Sequence, residues 1–228
     1  MGFMQIQNSR RPWVVGVSGA SGTPYPAAVI RGLLDAGEDV DLVISRAARL
    51  TVLDETGIRF RDSHWAEDLA EWTGAKPDLI AERVRYWPAG DLAAGPSSGS
   101  YPVKGMVVVP ASTASVAGIA LGLSKDLLQR AADVNLKERR PLVVVPRETP
   151  FTGTTLRHLV SLDDAGAVVL PASPGFYAGT RDVQQLVDFV AGKVLDVLGV
   201  PHTLYRRWDG ELGGARREEA PPSLESKV

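Results

Sequence analysis

The apolar residues Val14-Val15-Gly16-Val17 run directly into Ser18-Gly19-Ala20-Ser21-Gly22, and Pro24 then opens a helical stretch. A turn of this composition suits an anion. Glycine lets the backbone come close, Ser21 offers a hydroxyl donor, and the first helical turn aims unpaired N–H groups and a positive dipole end at the same point. A strand-to-helix turn without any ligand has similar residues, so other segments must decide. The spacing already separates one anion from another. A dinucleotide fingerprint reads G-x-G-x-x-G and places an acidic residue at the end of the second strand. Here Gly16, Gly19 and Gly22 stand three apart, and the second expected strand carries Asp39 and Asp41 at its beginning and ends in Ser45-Arg46. A hydroxyl and a cation suit a monophosphate, which points to a mononucleotide such as FMN more than to NAD.

Charged residues that can act on such a ligand gather in two places. Lys125 to Arg140 reads as a charged helix in which Arg130 and Lys137 share a face with Leu127 and Val134. That face turns toward protein, and a partly buried cation wants an anion, from a phosphate or from a neighbouring subunit's carboxylate. Arg139 and Arg140 are equally well explained as helix-end cations, and Asp133, four residues before Lys137, fits an ordinary solvated face. Pro146-Arg147-Glu148-Thr149-Pro150 closes a buried strand between two prolines that hold its backbone. There Arg147 can fork onto a phosphate, while Glu148 works as acid or base or pairs with the arginine. Glu55 ends a helix, where a carboxylate opposes the dipole unless it faces a ligand or a cation. Asp91 to Ser100 is small and flexible: a surface spacer, or a loop at a subunit contact that lays Leu92 and Ala93 over an apolar ligand group.

Regular elements must deliver these residues to one place. The 228 residues, 44% hydrophobic, suffice for one good core, and a net charge of −2 gives no reason to expect nucleic acid or an anionic membrane as partner. Without cysteine there are no disulfides, thiolate metal sites or thiol nucleophiles; His64, His158 and His202 lack ligand spacing, so surface or structural roles are expected of them and no metal site. Met1 to Arg11 does not read as a signal peptide and no run of about eighteen apolar residues occurs, so cytoplasmic residence is the default expectation. Apolar runs bounded by turn residues predict strands over 14–18, 39–44, 83–86, 105–109, 142–145 and 167–170. Helical patterns cover 24–36, 47–55, 63–74, 113–121, 125–138, 154–165 and 183–198. This alternation predicts a single-domain α/β fold over 12–208, three-layered and Rossmann-like or flavodoxin-like, with a mostly parallel sheet and its ligand site beyond the carboxyl ends of the strands. Residues 1–11 are expected to form a flexible tail and 209–228 a disordered one. Strand ends then bring Gly19-Ala20-Ser21, Ser45, Ser112-Thr113-Ala114-Ser115, Arg147-Glu148-Thr149, and Ser173 with Phe176-Tyr177 to one edge. Helix capping explains a hydroxyl such as that of Ser112 or Thr113. It does not explain Arg147-Glu148.

Together, Ser18-Gly19-Ala20-Ser21-Gly22, Ile44-Ser45, Ser98-Gly99-Ser100, Pro110 to Gly122, Arg130-Ala131-Ala132-Asp133-Val134, Leu136 to Arg140, Pro146 to Pro150, Pro174-Gly175-Phe176-Tyr177 and Leu186-Val187-Asp188-Phe189 resemble the UbiX-type flavin prenyltransferases, over about Pro12 to Trp208. The resemblance implies metal-independent transfer of a dimethylallyl group from dimethylallyl phosphate to N5 and C6 of reduced FMN, making a cofactor for UbiD-type decarboxylases. It implies cofactor contacts from Gly19, Ala20, Ser21, Ser45, Ser112, Thr113, Ala114, Ser115, Arg130 and Arg147. Prenyl-phosphate contacts would come from Lys137, Arg147, Tyr177 and Lys193, with Leu92 and Trp208 sheltering the allyl group, Trp208 from an adjacent subunit. Ser21, Glu55, Lys137 and Glu148 become catalytic candidates: Lys137 as a cation for the departing phosphate, Glu148 as its acid relayed through Ser21, and Glu55 for flavin protons. A homo-oligomer, often a dodecamer, is implied as well. Three residues depart from the family pattern. Lys193 stands where Arg is usual, turning a bidentate contact into a point charge; Ala111 replaces a frequent Cys; and Leu92 stands where some members carry Trp. Two other readings stay open: a protein that binds or delivers FMN or its prenylated form without catalysis, and a flavin-dependent decarboxylase, which Pro110-Ala111-Ser112-Thr113 fits poorly.

Overall fold

The computed structural model describes residues 11–178, 182–208 and Gly210. Of the tails expected over 1–11 and 209–228, all but Arg11 and Gly210 fall outside these. Among the described residues, the strands β1 (Trp13–Val17), β2 (Val40–Ile44), β3 (Val84–Pro88), β4 (Gly105–Ala111), β5 (Leu142–Pro146) and β6 (Val168–Val169) form one sheet in the order β3-β2-β1-β4-β5-β6. Every pairing is parallel. The order reverses between β1 and β4, which selects the Rossmann arrangement over the flavodoxin one and opens a crevice where the chain leaves these two neighbours in opposite directions.

The valine-rich strands are buried on both faces because each face has its own helical layer. Val15 and Val17 point into a core with α1 (Pro24–Asp35), α2 (Arg46–Thr56), α3 (Trp65–Thr73), α4 (Pro77–Arg83) and α8 (Val183–Leu198). Their neighbour Val14 points the other way, into a core with α5 (Thr113–Ala120), α6 (Leu127–Lys137) and α7 (Gly153–Asp164). Gly16 lies on that second face. A Cβ there would come within 2.9 Å of Met106 Cε and 3.1 Å of Leu128 Cγ, so the missing side chain lets α6 pack close. Helix starts follow the sequence: Ser45, Ser112, Asp126, Thr152 and Asp182 cap α2, α5, α6, α7 and α8 with side-chain oxygens. The helix α4 was not expected, because only Ile80 of its seven residues is buried and a single apolar contact leaves no period to read. No helix among the described residues is long and apolar enough to cross a membrane.

Candidate active site

The carboxyl ends of the strands form a rim, and one buried hydroxyl ties its centre together. Ser18, at the exit of β1, donates to the carbonyl of Pro110 at 2.8 Å and accepts from the N–H of Ser112 at 2.7 Å. This bridges β1 and β4 at the point where the strand order reverses. Gly19 presses the following loop onto α2, since a Cβ there would lie 2.4 Å from that of Ala47. Gly19 therefore meets the start of α2, and Ser18 just before it reaches the start of α5. Arg147 leaves β5 with its N–H on the carbonyl of Ala111, and its Cγ lies 3.9 Å from where a Gly22 Cβ would stand. Its Nε is buried without a hydrogen-bond partner. Burial pushes the neighbouring Tyr25 phenol up, opposed by the charge of Arg147.

Capping accounts for part of the rim. Ser45 accepts from Ala48 N–H at 3.1 Å, and Ser112 accepts from Ser115 N–H at 3.2 Å while bonding the Ser115 hydroxyl. Thr113 and Ala114, in the first turn of α5, keep N–H groups that the helix itself cannot satisfy. That turn and Arg147 are the rim's anion-seeking groups.

Glu55 corrects the expectation of an open cradle at the start of α1. Its carboxylate takes the N–H of Gly22 at 3.0 Å and the N–H and hydroxyl of Thr23 at 2.8 and 2.7 Å. Burial acts to raise the Glu55 pKa, but bonds from Thr23, Ser21 and the two backbone N–H groups outweigh it and hold the carboxyl below its ordinary range. A carboxylate at the end of α2 is thus tolerated because it faces the positive end of α1. Being held ionised, it suits anchoring better than proton carriage. The proposed relay from Glu148 through Ser21 is not formed either: Glu148 is exposed and accepts from the N–H of its neighbour Thr149 at 2.9 Å.

Lys137 is not brought to the rim within one chain. In a parallel sheet the helix before β5 must end where β5 begins, at the opposite edge. There Lys137 pairs with Glu138 beside Gly99, and Arg140 binds the carbonyls of Gly99 and Tyr101. The side chain is exposed, contrary to the partly buried cation expected from its helical spacing, because Lys137 is the last residue of α6. Arg130 is half-buried as expected but spends its guanidinium on Asp133 at 2.8 Å and the carbonyl of Ser97 at 3.1 Å, clamping the 95–97 turn. Leu92 is 52% exposed, and Ala93 N–H bonds Asp91, so within one chain this stretch is a local turn.

The loop after β6 returns to the rim, where Ala172 N–H bonds the carbonyl of Pro146. It carries Tyr177, whose ring stands edge-on to Phe189 at 5.6 Å and to Trp208 at 6.1 Å. Trp208 packs on Tyr177 of its own chain. Lys193 lies one turn beyond Phe189 on α8, with its ammonium 3.5 Å from Asp196. Ser18, Thr23, Tyr25 and Asp196 were not singled out beforehand. Ser18 alone had a signal, a hydroxyl closing an apolar strand.

A model of the Flavoprotein family matches residues 4–195. The chain is 72% identical over 212 residues to Flavin prenyltransferase UbiX of Streptomyces coelicolor, a match that covers 90% of this chain and 98% of that one. Among solved structures, AnUbiX (PadA1), crystallised in complex with FMN and dimethylallyl pyrophosphate, superposes with a TM-score of 0.77 at 35% identity, over 89% of this chain and 99% of that one. A dodecameric FMN-dependent UbiX-like decarboxylase from Escherichia coli O157:H7 superposes with a TM-score of 0.76 at 35% identity, over 87% and 100% of the two chains.

Proposed function

The chain belongs to the UbiX family of flavin prenyltransferases, and from that premise we propose that it joins the dimethylallyl group of dimethylallyl phosphate to N5 and C6 of reduced FMN at the strand-end rim. The bound reduced flavin supplies the nucleophilic ring atoms. The protein supplies grip, orientation and charge.

Arg147 carries this reading. A buried guanidinium nitrogen without a partner costs free energy until an anion takes it, and a planar fork matches a phosphate. The first turn of α5 adds two open N–H groups and a positive dipole end, and Ser45 keeps a hydroxyl proton to give. These residues fit the phosphate end of FMN, with Gly19, Ala20 and Ser21 forming the wall beside it.

Transfer breaks the allyl C–O bond, and negative charge grows on the leaving phosphate. Fixed positive and hydroxyl groups lower that barrier. Arg147, the Tyr177 phenol and the Lys193 ammonium serve from one chain, and Glu148, exposed at the rim, can give the departing phosphate a proton. Lys137, at the opposite edge, reaches such a site only from a neighbouring copy. Exposed Leu121, Leu123, Leu156 and Val160 suit assembly into a homo-oligomer, on the dodecameric pattern. Glu55 fixes the turn at Gly22 and Thr23, and the prenylated flavin passes to a UbiD-type decarboxylase.

The test is anaerobic incubation of the purified protein with reduced FMN and dimethylallyl phosphate, followed by mass analysis of the extracted flavin. A gain of one dimethylallyl unit is expected. Bound flavin of unchanged mass at all phosphate concentrations would leave only a binding role.

A further inference from the structure

One face of α8 carries Phe189, Gly192, Lys193 and Asp196, spaced as helix neighbours. The chain beyond Gly199 folds back along this face. Asp196 holds it there: one oxygen accepts from His202 Nε2 at 3.0 Å and from the Arg207 guanidinium at 2.6 Å, the other from the Tyr205 hydroxyl at 2.5 Å. His202 Nδ1 accepts from Leu204 N–H at 3.2 Å, so its proton sits on Nε2, pointed at the carboxylate. Gly192 makes the close approach possible, since a Cβ there would lie 2.5 Å from the Tyr205 ring and 2.8 Å from that of His202. Gly175 does the same for the rim loop, where a Cβ would stand 2.9 Å from Phe189 and 3.0 Å from Tyr177. A continuous aromatic run results. Tyr205 packs on Phe189 at 4.9 Å, Phe189 on Tyr177 at 5.6 Å, and Tyr177 on Trp208 at 6.1 Å.

Resting on the function proposed above, we infer that Asp196 is a positioning residue for the prenyl phosphate: a single carboxylate that clasps residues 202–207 to α8, braces Tyr177 and Trp208, and restrains Lys193. Lysine is a point charge on a flexible stem and needs an outside restraint to present its ammonium in one place. Asp196 provides it at 3.5 Å, a loose contact. Its three other donors keep the carboxylate satisfied when Lys193 turns to a phosphate, so the ammonium is held without being trapped. Among the described residues, no hydrogen bond or ion pair joins the FMN-phosphate groups, Ser45, Arg147 and the start of α5, to this clasp.

Steady-state kinetics of Asp196→Asn and Tyr205→Phe test the inference. For Asp196→Asn, KM for dimethylallyl phosphate is expected to rise about tenfold, the scale of one charge-assisted contact, with kcat changed less and FMN affinity within about twofold of wild type. Tyr205→Phe keeps its ring on Phe189 and loses only the hydroxyl, so a rise of about threefold is expected; it decides alone should the first variant fail to fold. A lowered melting temperature with KM unchanged would make Asp196 merely structural and overturn the inference. A wild-type protein that prenylates no flavin would overturn both this inference and its parent.

Discussion

Thr23 gives both its backbone N–H and its hydroxyl to the same oxygen of Glu55, at 2.8 and 2.7 Å, across a separation of 32 residues. The pair joins the end of α2 to the start of α1. Glu55→Ala is expected to lower stability by about 1–3 kcal/mol, the cost of leaving the buried Thr23 N–H and hydroxyl without their acceptor, and to slow turnover more than it weakens FMN binding, because the 21–23 turn loses its anchor. Urea unfolding and flavin titration of the same variant measure the two effects.

Acid should reveal the same carboxylates. Glu55 and Asp196 are both held below their ordinary values of 4.5 and 3.8; burial opposes this in each case, and hydrogen bonds from Thr23 and Ser21 in one and from Tyr205, Arg207 and His202 in the other prevail. As pH falls through the ordinary values, the unfolded chain takes up protons first. Their contribution is therefore complete above about pH 5 and is lost progressively below it. Urea midpoints from pH about 7 down to about 3 should decline, and Asp196→Asn should decline less steeply than wild type.

Arg147 separates binding from stability. Its Nε has no partner, so Arg147→Met removes an unsatisfied buried donor and should leave the melting temperature unchanged or slightly raised. FMN affinity should fall at least about tenfold, and Arg147→Lys should not restore it, because an ammonium cannot fork onto a phosphate. An affinity near wild type in the methionine variant would remove Arg147 from the proposed site.

Gly19 tests the packing beneath the site. With a Cβ only 2.4 Å from Ala47, Gly19→Ala must push α2 away from the rim, at a cost of about 1–3 kcal/mol. Chemical denaturation gives the loss, and weaker FMN binding should accompany it as Ser45 shifts.

Lys137 and Arg147 lie at opposite edges of the sheet. If a complete site draws Lys137 from a second copy, Lys137→Met should leave the melting temperature and FMN binding unchanged while lowering turnover. Mixed oligomers of Lys137→Met and Arg147→Met chains should then recover part of the activity that neither possesses alone. Mixtures as inactive as their parents would confine each site to one copy.

Much of this molecule is written locally. The valine runs, the hydroxyls that close them and the glycines at turns act within a few residues, so the order of strands along the chain, every helix but α4, the parallel topology and the gathering of Gly19, Ser45, Ser112 and Arg147 at one edge could be read from the chain. Resemblance added the chemistry. Tertiary structure decided which groups already have partners. Glu55 claims N–H groups 32 and 33 residues away, Asp196 collects a segment that folds back on its helix, and Lys137 is carried to the far edge by the length of α6. Spacing along the chain fixes the face a side chain shares with its neighbours. It does not fix the partner that reaches it across space, and a carboxylate or ammonium takes its role from that partner.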